Sequence, residues 1–389
     1  MLVGLDGAAR EMRALVAVAS AGADGGAAAL REHAARGCDW QRVVELAETH
    51  SLRTLLYGRV TDAVGEAAAP AAVRALAQPF RANALRNLQA VAEIRSIVGL
   101  LAAAGVPALA LKGPALAVSA YGDLTLREFS DVDMLVPRAA LEAALAALGG
   151  AGYRVTDAPA ARWLPGTMEV ALMRDSTGLT IDLHWRLMPN YFGSLPEEPL
   201  CARARSLEIA GARIPVLAPE AELLFLAVNG ARDCWPTLRA VADLAHLVRS
   251  QPLDWGRVSD LAAASGASRA LAVALLLASS LLEAPVPEEV LRRAEAVRAA
   301  LPLAERFAAR LLENQPDVSG TLGEATLHLR QLAGAVQKVS YIVRRVCQPS
   351  QLDAAWVSLP RRLSAAYYLV RPVRLALRCV RLAAKRAAG

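Results

Sequence analysis

Apolar residues recur every three or four positions along most of the chain, which predicts amphipathic helices. One long pattern fills residues 70–104 and stops at Gly105, a residue type that commonly follows the last turn of a helix. Asp39 precedes a shorter pattern and is placed to cap it. Further helices with short loops are predicted at residues 220–229, 236–248, 255–264 and 269–282. The helical pattern continues through 286–347, with a break at 314–320.

The pattern changes between residues 106 and 187, where short apolar runs predict strands instead. A helix is predicted at residues 139–148, and Asp175-Ser176-Thr177-Gly178 predicts the turn of a hairpin. These elements indicate a small mixed sheet with helices on one side. The strands are predicted at residues 106–111, 131–136, 153–155, 168–173 and 179–187, with an edge strand at 213–217.

The order of these elements predicts an α+β protein that is predominantly helical. At 389 residues, the chain is long enough for two or three domains. We expect an N-terminal helical region (1–104), a mixed-sheet domain (105–187), a C-terminal helical domain (188–347) and a basic amphipathic tail (348–389).

Three acidic residues stand on the predicted strands. Side chains alternate across a strand, so Asp131 and Asp133 point to one face, and Asp182 and His184 share one face of a later strand. If the two strands pair, three carboxylates converge on one edge and repel one another unless a cation lies between them. Mg²⁺ is the usual cation for such oxygen ligands. This pattern favours metal-assisted displacement at phosphorus.

The sequence Lys112-Gly113-Pro114 follows the first predicted strand and predicts a phosphate site. Gly113 permits a tight turn and a close approach of the backbone, and Pro114 suits the first position of a helix. A helix N-terminus binds anions, and Lys112 adds a positive charge. Each motif has a structural alternative when it stands alone: an Asp-x-Asp turn, a common Lys-Gly-Pro turn, or a strand with one paired acid. Their combination favours the functional interpretation.

The order of these motifs resembles the uncharacterised nucleotidyltransferase family of the DNA polymerase β superfamily. The similar residues are Leu111-Lys112-Gly113, then Tyr121 and Arg127, then residues 131–136 and 181–185, within a region of roughly 38–285. The resemblance implies a polymerase-β-like palm formed by residues 105–187. Two departures affect the expected nucleotide site: Asn229-Gly230 stands where the family often has His-Gly, and Gly113-Pro114 replaces a Gly-Ser or Gly-Gly turn.

The resemblance also implies roles for individual residues. Asp131 and Asp133 would bind the catalytic metal, and Asp182 would complete the metal site and help activate the acceptor. Lys112 and Gly113 would hold the triphosphate. Arg127 would contact phosphate or pair with an acid. His184, Asn229 and Arg232 are further candidates for nucleotide or substrate contacts.

Composition limits the cellular setting. Five scattered cysteines without a Cys-x-x-Cys pair argue against a zinc site or a disulfide framework and indicate a reducing cytoplasm. The N-terminus lacks the layout of a secretory signal. The apolar run 270–282 is shorter than the ~20 residues that span a bilayer, so we expect a buried helix there.

Charge is concentrated at the C-terminal end. The formal net charge is +6, and residues 361–389 carry eight Lys or Arg and no acid. Residues 361–386 therefore predict either a helix packed on the bundle or one that binds an acidic partner, nucleic acid or an anionic membrane surface. We expect a cytoplasmic protein, with peripheral association at the inner membrane surface as one possibility. Asp243 and His246 are three residues apart on a predicted helix, where a surface pair is favoured over a metal pair.

The expected activity is transfer of a nucleoside monophosphate from an NTP to a hydroxyl or amine acceptor, with Mg²⁺ (Mn²⁺ being possible) and release of pyrophosphate. Two alternatives stay open: metal-dependent phosphoryl transfer or phosphoester hydrolysis at the same acids, and a non-catalytic nucleotide-binding module that docks through the basic tail. The sequence does not select the NTP or the acceptor, which can be a peptide, protein, small molecule or RNA.

Overall fold

A seven-stranded mixed sheet supports the candidate site. The computed structural model describes residues 7–20, 27–35, 37–156, 167–189, 191, 192, 195, 197–315 and 322–387. The strand order is β3-β4-β5-β2-β1-β7-β6; the pairs β2–β5 and β1–β7 are parallel and the others antiparallel. The strands are β1 (Leu109–Ala110), β2 (Asp131–Leu135), β3 (Tyr153–Val155), β4 (Glu169–Arg174), β5 (Thr180–His184), β6 (Arg205–Ile209) and β7 (Ala212–Val216).

Helices make up most of the rest of the described chain, as the spacing of apolar residues predicts. Asp39 accepts a hydrogen bond from the Arg42 backbone N–H, which confirms the predicted cap. The helices are α1 (Arg10–Ser20), α2 (Ala27–Ala35), α3 (Trp40–Thr49), α4 (Arg53–Val64), α5 (Ala71–Arg74), α6 (Ala77–Ala103), α7 (Gly113–Tyr121), α8 (Leu141–Gly150), α9 (Glu197–Ala202), α10 (Pro219–Arg232), α11 (Leu238–Ser250), α12 (Trp255–Ala264), α13 (Ser268–Leu282), α14 (Glu288–Ala296), α15 (Ala300–Leu312), α16 (Leu322–Gln331), α17 (Ala335–Cys347), α18 (Gln351–Trp356) and α19 (Tyr367–Ala387).

The sheet continues past the expected boundary at residue 187. We predicted one edge strand at residues 213–217, but β7 lies inside the sheet between β1 and β6, and the edge is β6. Val216 pairs with Ala110 of β1, so this segment closes the sheet beside the first strand. The reason is that parallel partners are distant in sequence, and alternation alone does not reveal which strand a segment joins.

Two hydrophobic cores hold the molecule together. One lies between the sheet and the helices α6 and α8, where Ile97 and Leu101 join Val132 and Leu183. The larger core is formed mainly by the helices that come before and after the sheet in the chain, from α1 to α17. Helix α13 is almost entirely buried within it, as expected for residues 270–282. Among the described residues, no helix is long and apolar enough to cross a membrane.

Candidate functional site

The three predicted acids meet because β2 and β5 pair in parallel. In that register Asp133 lies opposite Asp182, and Asp131 lies opposite Thr180. Alternation then turns the three carboxylates to the same face, while Val132 and Ile181 enter the core on the other. They line a cavity of about 290 Å³. Its wall consists of Lys112, Gly113, Arg127, Phe129, Ser130, Asp131, Asp133, Glu169, Asp182, His184, Arg232 and Arg239.

A buried histidine links two of the acids in this cavity. His184 Nε2 lies 2.9 Å from Asp133 Oδ1, and His184 Nδ1 lies 3.1 Å from Glu169 Oε2. Burial by itself would raise the pKa of Asp133, but the hydrogen bond from His184 and the charge of Lys112 lower it to about 2. Asp133 is therefore ionised throughout the physiological pH range.

Asp182 has the opposite electrostatic environment. Burial, with the negative charges of Glu169, Asp131 and Asp133, raises its pKa to about 6. The nearby His184 opposes this shift only in part. Negative charge is therefore concentrated around Asp182, which is the condition under which a carboxyl group can take up a proton or a cation can bind.

The turn at Lys112-Gly113 lies on the other side of β2. Gly113 has φ +54°, a left-handed conformation that favours glycine, and α7 begins there with Pro114 in its first turn. The Lys112 Nζ lies 4.9 Å from the centre of the Phe225 ring. Burial lowers the pKa of Lys112, against the effect of Asp133. The structure therefore brings a lysine and a helix N-terminus to the cavity that holds the acids.

Arg127 reaches the cavity from a buried ion pair. Its Nε and Nη2 donate to the two carboxylate oxygens of Asp243, each at 2.9 Å, and Tyr121 Oη donates to the same carboxylate at 2.8 Å. The expectation of a surface pair between Asp243 and His246 is wrong, because both are buried; His246 stacks on Tyr121 instead, with the ring centres 4.3 Å apart. The Nη1 of Arg127 is buried and has no hydrogen-bond partner among the described residues.

The two candidates from the end of α10 differ in position. Arg232 lines the cavity and pairs with Asp233, with 2.8 Å between Nε and Oδ1. Asn229 is not part of the cavity wall; its buried side-chain amide donates to the Phe225 carbonyl one helical turn earlier, at 2.9 Å. The structure therefore joins Arg232, but not Asn229, to the other predicted site residues.

Comparison with known proteins agrees with this arrangement. Residues 36–283, more than half of the chain, match the uncharacterised nucleotidyltransferase family. The chain belongs to this family. It is an enzyme of the nucleotidyltransferase kind, which transfers a nucleoside monophosphate group from an NTP. The interpretation as a non-catalytic module is therefore not supported.

A solved structure with a detectable likeness is that of the antibiotic-resistance factor ANT(2″)-Ia, determined in solution. The identity is 18%, the alignment covers 44% of this chain and 89% of that chain, and the TM-score is 0.31. A likeness this distant does not support a residue-by-residue comparison. No curated protein matches the sequence.

The donor set of this nucleotidyltransferase suits a hard divalent cation, because Asp131, Asp133, Asp182 and Glu169 offer oxygen ligands only. Within the described ranges, no group of three or more His, Cys, Asp or Glu side chains is close enough together to hold a metal ion. At Asp133, Oδ1 accepts a hydrogen bond from His184. Binding a cation would require these side chains to turn toward a common point.

Two charged residues of the cavity wall, Glu169 and Arg239, were not predicted. Glu169 lies opposite His184 in the antiparallel β4–β5 pair. Counting back from the predicted hairpin turn would have placed it there, since Met173 pairs with Thr180. Arg239 comes from the start of α11 and is oriented by the Glu128 carbonyl, to which its Nη1 donates at 2.9 Å. No local sequence signal identifies Arg239, because only helix packing brings it to the cavity.

Proposed function

We propose that the enzyme catalyses Mg²⁺-dependent transfer of a nucleoside monophosphate from an NTP to a hydroxyl or amine acceptor, with release of pyrophosphate. Mn²⁺ would serve as a substitute cation. The observation that carries this proposal is the register in which Asp133 faces Asp182, with the Lys112-Gly113 turn in the same cavity. The family shows the kind of enzyme; the cation, the residue roles and the acceptor are what we propose.

The positive groups around the turn would bind the triphosphate. Lys112 supplies a charge beside the N-terminus of α7, where backbone N–H groups can donate hydrogen bonds to an anion. The buried Nη1 of Arg127 lacks a partner among the described residues, and a phosphate oxygen would satisfy it. Arg239 would add a further donor from α11.

The acids would hold the cation and receive the proton. Asp131, Asp133 and Asp182 would coordinate Mg²⁺, which when bound would neutralise charge on the phosphates. In the transfer, the acceptor oxygen or nitrogen forms a bond to the α-phosphorus and the bond from that phosphorus to the pyrophosphate oxygen breaks. The proton of the acceptor goes to a carboxylate, and Asp182 suits this role because its side chain lies beside Asp131, Asp133 and Glu169 in the same cavity.

A thermal-shift panel tests this proposal. Wild type, Asp131→Asn/Asp133→Asn and a surface control, Asp62→Asn, are heated with each of four NTPs, with and without Mg²⁺. We expect a Mg²⁺-dependent stabilisation by one or more NTPs, about 2.7 kcal/mol at a hundredfold excess over the dissociation constant, that only the double variant loses. An unchanged shift in the double variant would contradict the metal assignment. A separate product assay distinguishes the reaction types: free phosphate without pyrophosphate would favour hydrolysis or phosphoryl transfer at the same acids.

For the tail we propose association with an anionic membrane surface. Apolar side chains are exposed along one side of α17 at Val336, Val339, Val343 and Val346, and Leu369 is 74% exposed on α19. Residues 361–389 are basic without an acid. Exposed apolar residues beside a purely basic segment suit a lipid interface, since the apolar groups can enter it while the arginines meet anionic headgroups.

Vesicle sedimentation tests the membrane proposal. We expect binding to vesicles of phosphatidylcholine with phosphatidylglycerol, and none to phosphatidylcholine alone. The variant Val339→Ser/Val343→Ser should bind less, while Leu85→Ser/Leu88→Ser, which changes two exposed apolar residues of α6, should bind as wild type. Equal binding by both variants, or no dependence on the anionic lipid, would contradict it.

A further inference from the structure

A second, larger cavity adjoins the acidic one. Its volume is about 470 Å³, and it shares Glu169 and Arg232 with the cavity that holds the three aspartates. Side chains from the end of α10, from α17 and from α19 form much of its wall. The residues that matter for its chemistry are Tyr191, Arg232, Tyr341, Arg344, Arg345 and Arg371.

The sheet order fixes the side on which this cavity lies. Going across the sheet, Glu169 is on β4, Asp182 on β5 and Asp133 on β2, and the Lys112-Gly113 turn directly follows β1. The second cavity therefore meets the acids from the β4 side, opposite the turn that would hold the phosphates. In a displacement at phosphorus, the attacking and leaving oxygens lie roughly in line on opposite sides. An acceptor would approach from the β4 side if the pyrophosphate leaves toward Lys112.

The wall of the second cavity is strongly basic. It carries four arginines against one carboxylate, Glu169. Three of the arginines have a carboxylate partner that does not line the cavity: Arg232 with Asp233 at 2.8 Å, Arg345 with Glu324 at 3.5 Å, and Arg371 with Asp353 at 3.1 Å.

Arg344 differs from these three. Its Nε donates to Ser340 Oγ at 3.0 Å, and among the described residues no carboxylate forms an ion pair with it. Arg344 is half-buried, so its charge faces the cavity with only a hydroxyl group beside it. A guanidinium group in such a position matches the two oxygens of a carboxylate or phosphate group.

We propose that this second cavity is the acceptor subsite and that the acceptor carries an oxyanion, a phosphate or a carboxylate group, besides its reacting hydroxyl or amine. This inference rests on the proposed function, since the subsite is defined relative to the transfer step given above. Arg344 binds the oxyanion, Arg232 lies at the boundary between the two cavities, and the reacting group reaches the α-phosphorus beside Asp182. The body of the acceptor packs against Tyr191.

Binding of two simple oxyanions tests the subsite. Inorganic phosphate and acetate are titrated calorimetrically into wild type, Arg344→Gln, Arg344→Lys and a control, Arg293→Gln, which alters an exposed arginine of α14. We expect Arg344→Gln to weaken anion binding at the second cavity about tenfold, as when one charge-assisted hydrogen bond is lost, and to leave any separate phosphate binding at the Lys112-Gly113 turn unchanged. Arg344→Lys should lose less and Arg293→Gln nothing. The better of the two probes distinguishes a phosphate-bearing from a carboxylate-bearing acceptor.

NTP binding by the same variants separates the subsite from the donor site. We expect the NTP affinity to be equal in all four proteins. The inference is overturned if wild type binds neither phosphate nor acetate. It is also overturned if Arg344→Gln leaves the binding of both anions unchanged. A loss of NTP affinity in Arg344→Gln also overturns it, because the cavity would then hold the donor. A wild-type protein that binds no NTP would contradict the proposed function alone, since the anion titrations still decide whether the second cavity binds an oxyanion.

Discussion

Arg127 and Asp243 form a buried bidentate ion pair that joins the segment before β2 to the middle of α11. Both N···O distances are 2.9 Å, and Tyr121 donates a third hydrogen bond to the carboxylate. Burial would raise the pKa of Asp243, but Arg127 lowers it below its ordinary value. Because Arg127 also lines the acidic cavity, the pair fixes one wall of the site to the helical part of the chain.

The variant Asp243→Asn should be strongly destabilised. It leaves the charge of Arg127 buried without a counter-charge, and removing one partner of a buried pair costs about 3–5 kcal/mol. The free energy of unfolding in urea measures this. The control is Asp175→Asn, which breaks the exposed pair with Arg154 and should leave the unfolding midpoint unchanged. Similar midpoints for the two variants would show that the buried pair contributes little.

The glycines at the two ends of α7 allow an effect on NTP binding to be distinguished from an effect on protein stability. Gly113 (φ +54°) and Gly122 (φ +72°) are both left-handed, and a Cβ at either meets no contact closer than 3.7 Å. Gly113→Ala and Gly122→Ala should each lose about 1–2 kcal/mol from backbone strain. Only Gly113→Ala should weaken NTP binding, measured by calorimetry. Equal NTP affinities would argue against a phosphate site at this turn.

Gly230 is required by the close approach of Trp235. A Cβ at position 230 would lie 2.5 Å from the Trp235 ring, which is itself buried. Gly230→Ala should therefore destabilise the protein by about 1–3 kcal/mol, the usual cost of overpacking. Gly99→Ala, in the exposed interior of α6 with nothing within 4 Å, should instead stabilise it by about 0.5–1 kcal/mol. Thermal unfolding of both variants checks the opposite signs.

His50 should make the stability depend on pH. Burial lowers its pKa to about 4, its Nδ1 accepts the Leu238 N–H at 3.1 Å, and its buried Nε2 has no partner among the described residues. Between pH 6.5 and pH 4 the unfolded chain binds a proton that the folded chain does not, so stability falls as the pH falls.

The variant His50→Asn isolates this effect, because its side-chain oxygen can still accept the Leu238 N–H but does not titrate. We expect the stability advantage of wild type over the variant to shrink by about 2 kcal/mol between pH 7.5 and pH 5, measured by urea unfolding at both values. A pH-independent difference would show that His50 is not the group responsible.

The residues that sequence reasoning placed correctly share one property: their signals are local. Asp131, Asp133 and Asp182 alternate with core residues along single strands, and Gly113 with Pro114 specifies a turn into a helix. Glu169 and Arg239 were not identified, and Asn229 does not line the cavity. These positions depend on a hairpin register and on helix packing, which cannot be predicted from single segments of the sequence.

The sequence by itself determined the helices, most of the strands, the acids on their faces and the basic C-terminal segment, because the periodicities of 3.6 and 2 act within one element. Tertiary structure alone decided that β7 lies inside the sheet, that Asp243 is buried against Arg127, and that Arg344 faces a cavity beside the acids. Each of these depends on which distant segments bury surface together. Burial and pairing energies are summed over the whole fold, so no single stretch of residues specifies them.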